Sequence, residues 1–143
     1  MKILDGFKLA ARLHAGQVDK AGRPYIEHLV RVFLGVLERG GNRFQQLAAL
    51  LHDAVEDKRT TYELLLAEGV PPETIGMLKV LSKPEGMPYE EYMGHVKQHP
   101  EVLPIKESDL DDNSDEDRLA LLEPALAARL RAKYKRAREI LAA

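Results

Sequence analysis

The spacing of apolar residues is the feature that most constrains the fold of this 143-residue chain. These residues recur every three or four positions almost throughout, which is the pattern of one face of an amphipathic helix, whereas half-buried strands alternate at every second residue. No alternating run of strand length and no internal repeat is present. The sequence therefore predicts an all-α fold, and its length predicts one compact domain spanning residues 1–143.

Turn and capping residues divide the chain into eight predicted helices, so we expect a bundle of seven or eight. Thr60 with Glu63 forms a capping-box pattern before the fourth helix. The second is apolar around most of its circumference, as is typical of a central buried helix. The predicted helices run from about Ile3 to His14, Ile26 to Glu38, Arg43 to Glu56, Thr60 to Gly69, Pro71 to Ser82, Pro88 to His99, Ile105 to Asn113, and from Pro124 to the end of the chain.

Composition narrows the range of partners. The formal net charge is −2, so the chain lacks the cationic field that nonspecific nucleic-acid binders use. We therefore expect no nucleic-acid partner. No window approaches the length of uncharged apolar sequence that a membrane span needs, so we expect no membrane partner either. Cysteine is absent, which excludes disulfides and thiolate chemistry and favours a cytoplasmic location. The sequence leaves the oligomeric state open.

The segment LLHDAVED, residues 50–57, interrupts an apolar run with one histidine and three acids. On a continuous helix these four polar residues fall within about 140° of one another, opposite the apolar arc. Every amphipathic helix has a polar face, but here three carboxylates crowd a helix C-terminus, where the macrodipole disfavours negative charge. A divalent cation would relieve this repulsion, and imidazole with carboxylate suits Mn²⁺, Fe²⁺, Zn²⁺ or, less well, Mg²⁺. The four residues are His52, Asp53, Glu56 and Asp57.

Further ligands must come from elsewhere in the chain, which contains four other histidines. His28 begins the second helix and is a candidate ligand, with a hydrogen-bonded core histidine as the alternative. His14 lies on the first apolar stripe and is better explained as a core residue or as a support for the site. His95 and His99 have metal-like spacing, but they lie on a polar helix without adjacent carboxylates, so we do not favour them as ligands.

Two charged blocks occupy the C-terminal third. Seven acids lie between Glu107 and Asp117, and within this block Asp109 and Asn113 stand one helical turn apart. Six bases lie between Arg129 and Arg138 and are spread around the axis of the last helix. This spread predicts a solvated surface, with a docking or phosphate-binding surface as the alternative.

Several segments together resemble the HD superfamily of metal-dependent phosphohydrolases. The resemblance is closer to the hydrolase domain of RelA/SpoT-type alarmone enzymes and to small stand-alone alarmone hydrolases of the metazoan SpoT homologue type. The combination PYIxH, LLHDxVED and KxxDxxxN is specific to that family, whereas an isolated HD pair is not. The matching segments, from about Leu9 to the end of the chain, are AARLHAGQ (10–17), GRPYIEH (22–28), AALLHDAVEDKRTT (48–61), IKESDLDDN (105–113) and RAKYKRAREIL (131–141).

The resemblance implies a role for each matching residue. Glu56 would orient or deprotonate an attacking water, with support from Asp57, and Asn113 would contact the nucleotide. The cofactor would be one divalent metal ion, with Mn²⁺ preferred among the ions named above. The implied metal ligands are His28, His52, Asp53 and Asp109.

The activity implied by the resemblance is that of an enzyme, a metal-dependent hydrolase that cleaves guanosine tetraphosphate or pentaphosphate at the 3′-pyrophosphate and has no synthetase activity. The substrate is then a small nucleotide. The chain departs from the family at the loop 18–21, VDKA, where alarmone hydrolases usually carry a basic pair. Lys20, in this loop, and Arg23, just after it, are the candidate substrate-binding cations that remain. After Asn113, an acidic segment, 114–116, replaces a basic and a hydroxyl residue.

These departures remove groups that would hold a heavily phosphorylated ligand. They leave a second enzymatic interpretation open, an HD nucleotidase acting on nucleoside monophosphates or another small phosphate ester. A catalytically inactive domain that binds a nucleotide or a partner is a third interpretation, although such a domain would not need Glu56 and Asp57. A purely helical interaction module that uses the basic last helix is a fourth, and it predicts no bound metal.

Overall fold

The structure, a computed structural model, describes residues 1–143 and contains nine α-helices and no β-strand. The predicted all-α class is therefore confirmed, and the only extended pairing is an isolated bridge between Val18 and Pro24. A single 3₁₀ turn, Pro100–Val102, precedes the seventh helix. The helices are α1 (Ile3–Leu13), α2 (Tyr25–Glu38), α3 (Arg43–Leu51), α4 (Tyr62–Ala67), α5 (Pro72–Leu81), α6 (Tyr89–Lys97), α7 (Leu103–Asn113), α8 (Glu116–Leu119) and α9 (Pro124–Ala142).

Helix α3 is the centre of the bundle. Every residue of Leu47–Leu51 is buried, and α3 packs against α1, α2, α5 and α7. Helix α2 was predicted to be the central buried helix, which is wrong in part, because Leu34 and Leu37 are 48% and 50% exposed. Because its last five residues are all buried, the C-terminal end of α3 lies inside the molecule. All nine helices contribute to one hydrophobic cluster.

Helix α3 ends at Leu51, more than a turn before the predicted end at Glu56. The ring Nδ1 of His52 lies 2.7 Å from the carbonyl oxygen of Ala49. In a continuous helix that carbonyl would accept the backbone N–H of Asp53. The ring of His52 therefore takes the place of the Asp53 N–H as the donor to the Ala49 carbonyl, just after the last residue of α3.

The residues after α3 form turns rather than a further length of helix. Lys58 has a positive φ of 59°, and two backbone bonds of 2.9 Å close the turn, from Lys58 to the Val55 carbonyl and from Arg59 to the Ala54 carbonyl. This is the bonding pattern of a Schellman motif with Lys58 in the position usually taken by glycine. The helical-wheel angles predicted for residues 52–57 consequently do not apply.

Two other local predictions need correction. The capping residue of α4 is Thr61, whose hydroxyl accepts the N–H of Leu64 at 3.2 Å, rather than Thr60 paired with Glu63. Helix α8 was not predicted, because the sequence there is an acidic run with few apolar residues. Asp115 begins α8 by accepting the N–H of Arg118 at 3.1 Å.

Helices α2 and α7, which both supply residues to the candidate site described below, pack closely against each other. A Cβ atom placed on Gly35 of α2 would lie 2.7 Å from the hydroxyl oxygen and 2.9 Å from the Cβ of Ser108 on α7. Only glycine fits this contact, so Gly35 sets how near the two helices approach. None of the helices combines the length and the apolar character needed to cross a membrane.

Candidate active site and metal centre

Two histidines and two aspartates converge at the buried end of α3. They come from α2, from the end of α3, from the turn that follows it and from α7. One potential ligand atom from each residue lies within 4.8 Å of those of the other three. The four residues are His28, His52, Asp53 and Asp109, the same set that the sequence resemblance implies.

Within this group, Asp109 lies close to both histidines. Its Oδ1 lies 3.1 Å from Nε2 of His28 and 3.2 Å from Nε2 of His52. The same nitrogen of His52 lies 3.2 Å from Oδ2 of Asp53. These distances direct the two nitrogens and two carboxylates to a common point. His28, His52 and Asp109 are buried, whereas the Asp53 side chain is partly exposed.

Each of the two imidazoles is fixed by a hydrogen bond at Nδ1, the ring nitrogen that does not face the other ligands. The Nδ1 of His52 faces the Ala49 carbonyl, which only accepts hydrogen bonds, so this nitrogen carries the proton. The Nδ1 of His28 lies 2.6 Å from a carboxylate oxygen of Asp112 and donates in the same way. With Nδ1 protonated, loss of the proton on Nε2 would leave each ring neutral, with the Nε2 lone pair directed toward the common point. Mixed imidazole and carboxylate donors oriented by outer hydrogen bonds are the arrangement of a site for a divalent transition metal.

Opposite charges compensate one another inside this group. Burial by itself raises the pKa of Asp109, but the Lys106 ammonium and His52 hold it well below its ordinary value. Burial by itself lowers the pKa of His52, but the charges of Asp53 and Asp109 raise it well above its ordinary value. Since a histidine ligand must be neutral, cation binding at this group requires proton release.

Glu56 and Asp57, the predicted catalytic acids, extend from the turn beside the four-residue group. Oε1 of Glu56 accepts the backbone N–H of Lys83 at 3.0 Å, and Oδ2 of Asp57 accepts the amide of Gln17 at 2.9 Å. Burial raises the pKa of Glu56, and the nearby charge of Asp53 raises it further, against the lowering effect of the Lys83 N–H. Burial also raises the pKa of Asp57. A carboxylate with a raised pKa is a better proton acceptor near neutral pH.

His14 lies outside the four-residue group and supports Asp57 indirectly. Its Nδ1 lies 2.7 Å from Oε1 of Gln17, whose amide nitrogen donates to Asp57. Because the amide oxygen of Gln17 can only accept, the His14 ring donates to it. The segment AARLHAGQ is thus placed behind the turn 52–58, in agreement with the expectation that His14 is a core or supporting residue.

A cavity of about 380 Å³ opens over the group and over both acids. Its wall contains four tyrosines, Tyr25, Tyr89, Tyr92 and Tyr134, and five cationic side chains, Lys20, Lys83, Lys106, Arg118 and Lys133. The hydroxyl of Tyr25 donates to Oδ2 of Asp53, which helps to fix that carboxylate.

Three of the five cations are already engaged. Lys106 is buried and donates to Asp109 at 3.2 Å. Arg118 pairs with two carboxylates, at 2.9 Å to Asp19 and at 2.7 Å to Asp112. The ammonium group of Lys83 donates to two backbone carbonyls, at 2.8 and 3.3 Å.

Lys20 and Lys133 remain without a hydrogen bond or an ion pair. The ammonium of Lys133 lies 4.4 Å from the ring centre of Tyr89. Burial lowers the pKa of Lys133, and the charges of Lys20 and Lys106 lower it further. Neither ammonium group has a carboxylate within ion-pair distance, so both can contact an anion bound in the cavity.

The structure brings only some of the other predicted residues to the site. Lys20 lines the cavity, whereas Arg23 lies outside its wall and pairs with Glu27 at 2.6 Å. Asn113 lines the cavity and donates its amide to Asp109 at 3.1 Å. His95 and His99 pack against each other, with 4.7 Å between their ring centres, and belong to no metal-binding group.

Sequence reasoning missed Tyr25, Lys106, Asp112 and Lys133. A signal existed for Tyr25 and Lys106, because each lies inside a segment that carries the family resemblance, PYIxH and KxxDxxxN. Lys133 was assigned to a block of bases spread around α9, and nothing in that spread marks the one base that faces the cavity. Asp112 is one of seven acids in its block, and no local pattern distinguishes it.

A protein-family model described as the HD domain matches residues 6–102 of the chain. That stretch contains His28, His52, Asp53 and both predicted catalytic acids. It ends before Asp109, which the fold adds from α7.

Curated relatives include proteins of alarmone metabolism. The guanosine-3′,5′-bis(diphosphate) 3′-pyrophosphohydrolase of Aquifex aeolicus is 34% identical over 122 residues, 78% of this chain and 17% of that protein. The probable GTP pyrophosphokinase of Mycobacterium leprae is 33% identical over 113 residues, 72% of this chain and 14% of that protein. The bifunctional (p)ppGpp synthase/hydrolase SpoT of Escherichia coli is 36% identical over 62 residues, 43% of this chain and 9% of that protein. The chain therefore spans less than a fifth of the length of these relatives.

A solved structure has the same fold over nearly the whole chain. It is described as a metazoan orthologue of SpoT that hydrolyses ppGpp, and it superposes with a TM-score of 0.80 at 19% identity. The superposition covers 97% of this chain and 84% of the other.

Proposed function

The chain belongs to the HD-domain family, and from that premise we propose that it is a metal-dependent phosphohydrolase that removes pyrophosphate from the 3′ position of a guanosine 3′,5′-bis(diphosphate)-type nucleotide. The observation that carries this proposal is the convergence of two histidines and two aspartates within 4.8 Å, beside two further acids, in the floor of one cavity. Names of the relatives from Aquifex aeolicus and Escherichia coli support the choice of nucleotide.

The cation would be held by His28, His52, Asp53 and Asp109. When bound, a divalent ion supplies a water of lowered pKa and polarises the phosphorus that this water attacks. Mn²⁺ is our first choice, since imidazole and carboxylate suit it well, and Fe²⁺, Zn²⁺ and Mg²⁺ are the other candidates.

Glu56 would accept a proton from the attacking water. Its carboxylate is fixed by the Lys83 N–H at one oxygen, which leaves the other oxygen free to receive the proton. The new bond joins the water oxygen to the phosphorus next to the ribose 3′ oxygen, the bond from that phosphorus to the 3′ oxygen breaks, and the proton ends on the 3′ hydroxyl. Asp57, held by Gln17, supports Glu56 by keeping the turn in position.

The two unpaired ammonium groups favour a substrate with separated phosphates over a nucleoside monophosphate. One phosphoryl group of the substrate would occupy the metal end of the cavity. Lys20 on the loop and Lys133 on α9 line the same cavity without any carboxylate partner, and they would hold the 5′-diphosphate. Lys133 would thereby compensate for the basic pair that the loop 18–21 lacks.

Product identity tests this proposal. The purified protein is incubated with Mn²⁺ and guanosine tetraphosphate, or with GMP, and the products are separated by ion-exchange chromatography. We expect GDP and pyrophosphate from the tetraphosphate, and none from a variant with His52→Ala and Asp53→Ala. Orthophosphate from GMP, with the tetraphosphate untouched, would support the nucleotidase instead. No turnover of either would support a binding domain. A cytoplasmic location is a further prediction, which fractionation of the source cells would test.

A further inference from the structure

A buried carboxylate on α7 contacts a proposed metal ligand, although the proposed chemistry gives it no task. Asp112 is 9% exposed, and its Oδ2 lies 2.6 Å from Nδ1 of His28 on the neighbouring helix α2. This is the only side-chain contact of that nitrogen.

Asp112 is fixed from two directions by arginines. Nε of Arg31 donates to its Oδ1 at 2.6 Å, and Nη1 of Arg118 donates to its Oδ2 at 2.7 Å. Two guanidinium groups keep the carboxylate ionised and acceptor-only, so His28 must be the donor in the third contact. Nδ1 of His28 therefore keeps its proton, and the proton that a cation would replace is the one on Nε2, which lies 3.1 Å from Oδ1 of Asp109.

The same network reaches the loop that carries Lys20. Nη2 of Arg118 donates to Oδ2 of Asp19 at 2.9 Å. The other oxygen of Asp19 accepts two backbone N–H groups of the loop, those of Ala21 and Arg23, each at 2.9 Å. A continuous set of buried or half-buried charged groups therefore joins the cavity loop to His28.

We propose that Asp112 is the positioning residue of the metal centre, which fixes the tautomer and the ring orientation of His28 so that Nε2 faces the cation. The inference rests on the proposed metal site, but it does not depend on which nucleotide is cleaved. Carboxylates that accept from the outer nitrogen of a ligand histidine raise its basicity and orient it, and their loss costs about 10- to 100-fold in metal affinity.

Asp111 provides a matched control on the same helix. Its carboxylate also accepts hydrogen bonds from two arginines, from Nη2 of Arg39 at 2.6 Å and from Nη2 of Arg138 at 2.8 Å, but it contacts no histidine. A general effect of removing one acid from α7 would therefore appear in Asp111→Asn as well as in Asp112→Asn.

The experiment measures Mn²⁺ binding by isothermal titration calorimetry in the absence of nucleotide, for the wild type, Asp112→Asn and Asp111→Asn. We expect Kd to rise about 10- to 100-fold for Asp112→Asn, and less than about twofold for Asp111→Asn. Equal affinity of Asp112→Asn and the wild type would overturn the inference, and so would an equal loss in both variants. Failure of the wild type to bind Mn²⁺ would instead overturn the metal site, and with it the proposed function.

A second measurement needs no variant. In the Zn²⁺-loaded wild type, two-bond ¹H–¹⁵N correlation spectra identify which ring nitrogen of His28 carries the proton. We expect the proton on Nδ1 and the metal on Nε2. A proton on Nε2, with the metal on Nδ1, would contradict the inference even if Asp112→Asn fails to fold.

Discussion

The backbone N–H of Lys83 lies 3.0 Å from Oε1 of Glu56 and donates a hydrogen bond to it. Lys83 follows α5, whereas Glu56 lies in the turn after α3, so this contact joins two separate segments at the edge of the cavity. Because a backbone donor holds one oxygen only, the carboxylate is oriented while its second oxygen stays available for a proton.

Glu56→Gln tests the role of this carboxylate. The amide oxygen of glutamine still accepts the Lys83 N–H, so position and fold should be retained, whereas proton acceptance is lost. We expect kcat to fall about 10²-fold or more, as is usual for a positioned acid or base. Mn²⁺ affinity, measured by calorimetry, should be unchanged. An unchanged kcat would remove Glu56 from the chemistry.

The pH dependence of kcat/KM follows from the same group. Glu56 must be ionised to accept a proton, so activity should decline as the pH falls through its pKa. Burial raises this pKa, so the decline should begin at a higher pH than an ordinary glutamate, with a pKa of about 4.3, would give. Both proteins are measured with enough Mn²⁺ to keep the metal site occupied at each pH, and the acid limb should then disappear in Glu56→Gln, which shares any titration of the substrate. If both proteins have the same acid limb, the limb belongs to another group.

Lys133→Gln tests the phosphate-binding end of the cavity. Loss of a charged hydrogen bond to phosphate should raise KM for guanosine tetraphosphate about tenfold. Lys135→Gln is the matched control, because Lys135 lies two residues further along α9 and does not line the cavity. A 3′-diphosphate substrate that lacks the 5′ phosphates should be insensitive to Lys133→Gln. Equal sensitivity of both substrates would contradict a 5′-phosphate contact.

Gly35→Ala tests the contact between α2 and α7. The added Cβ would lie 2.7 Å from the hydroxyl oxygen of Ser108, so we expect the free energy of unfolding to fall by about 1–3 kcal/mol. Gly76→Ala is the control, since Gly76 is also helical but has no atom within 4 Å of an added Cβ. There we expect a gain of about 0.5–1 kcal/mol, because alanine favours the helix. Urea denaturation measures both, and an unchanged stability of Gly35→Ala would show that the helices move apart without cost.

Much of the fold follows from local sequence signals. Apolar spacing identified the helices, and prolines and glycines marked most of their ends to within a few residues. The end of α3 could not be predicted, because there the ring of His52 donates to the Ala49 carbonyl. This hydrogen bond depends on burial of the ring in the folded protein, which the local sequence does not indicate. Helix α8 depends on a cap by Asp115 within an acidic run that looks like a loop.

The site was predictable where its residues are close in sequence or lie in specific motifs. His52 and Asp53 are adjacent, and their crowding of like charge is visible in the sequence alone. Asp112 and Lys133 could not be assigned in this way, because what distinguishes them from neighbouring charges is the helix they face across the bundle. Lys133 was expected on a solvated surface, yet it lines the cavity.

Metal dependence of turnover tests the central claim most directly. The protein is freed of metal with a chelator, dialysed and titrated with Mn²⁺ while pyrophosphate release from guanosine tetraphosphate is followed. We predict no turnover without metal, recovery that reaches a plateau at one ion per chain, and no recovery in the variant with His52→Ala and Asp53→Ala. Full turnover of the metal-free protein, or recovery in that variant, would contradict the account.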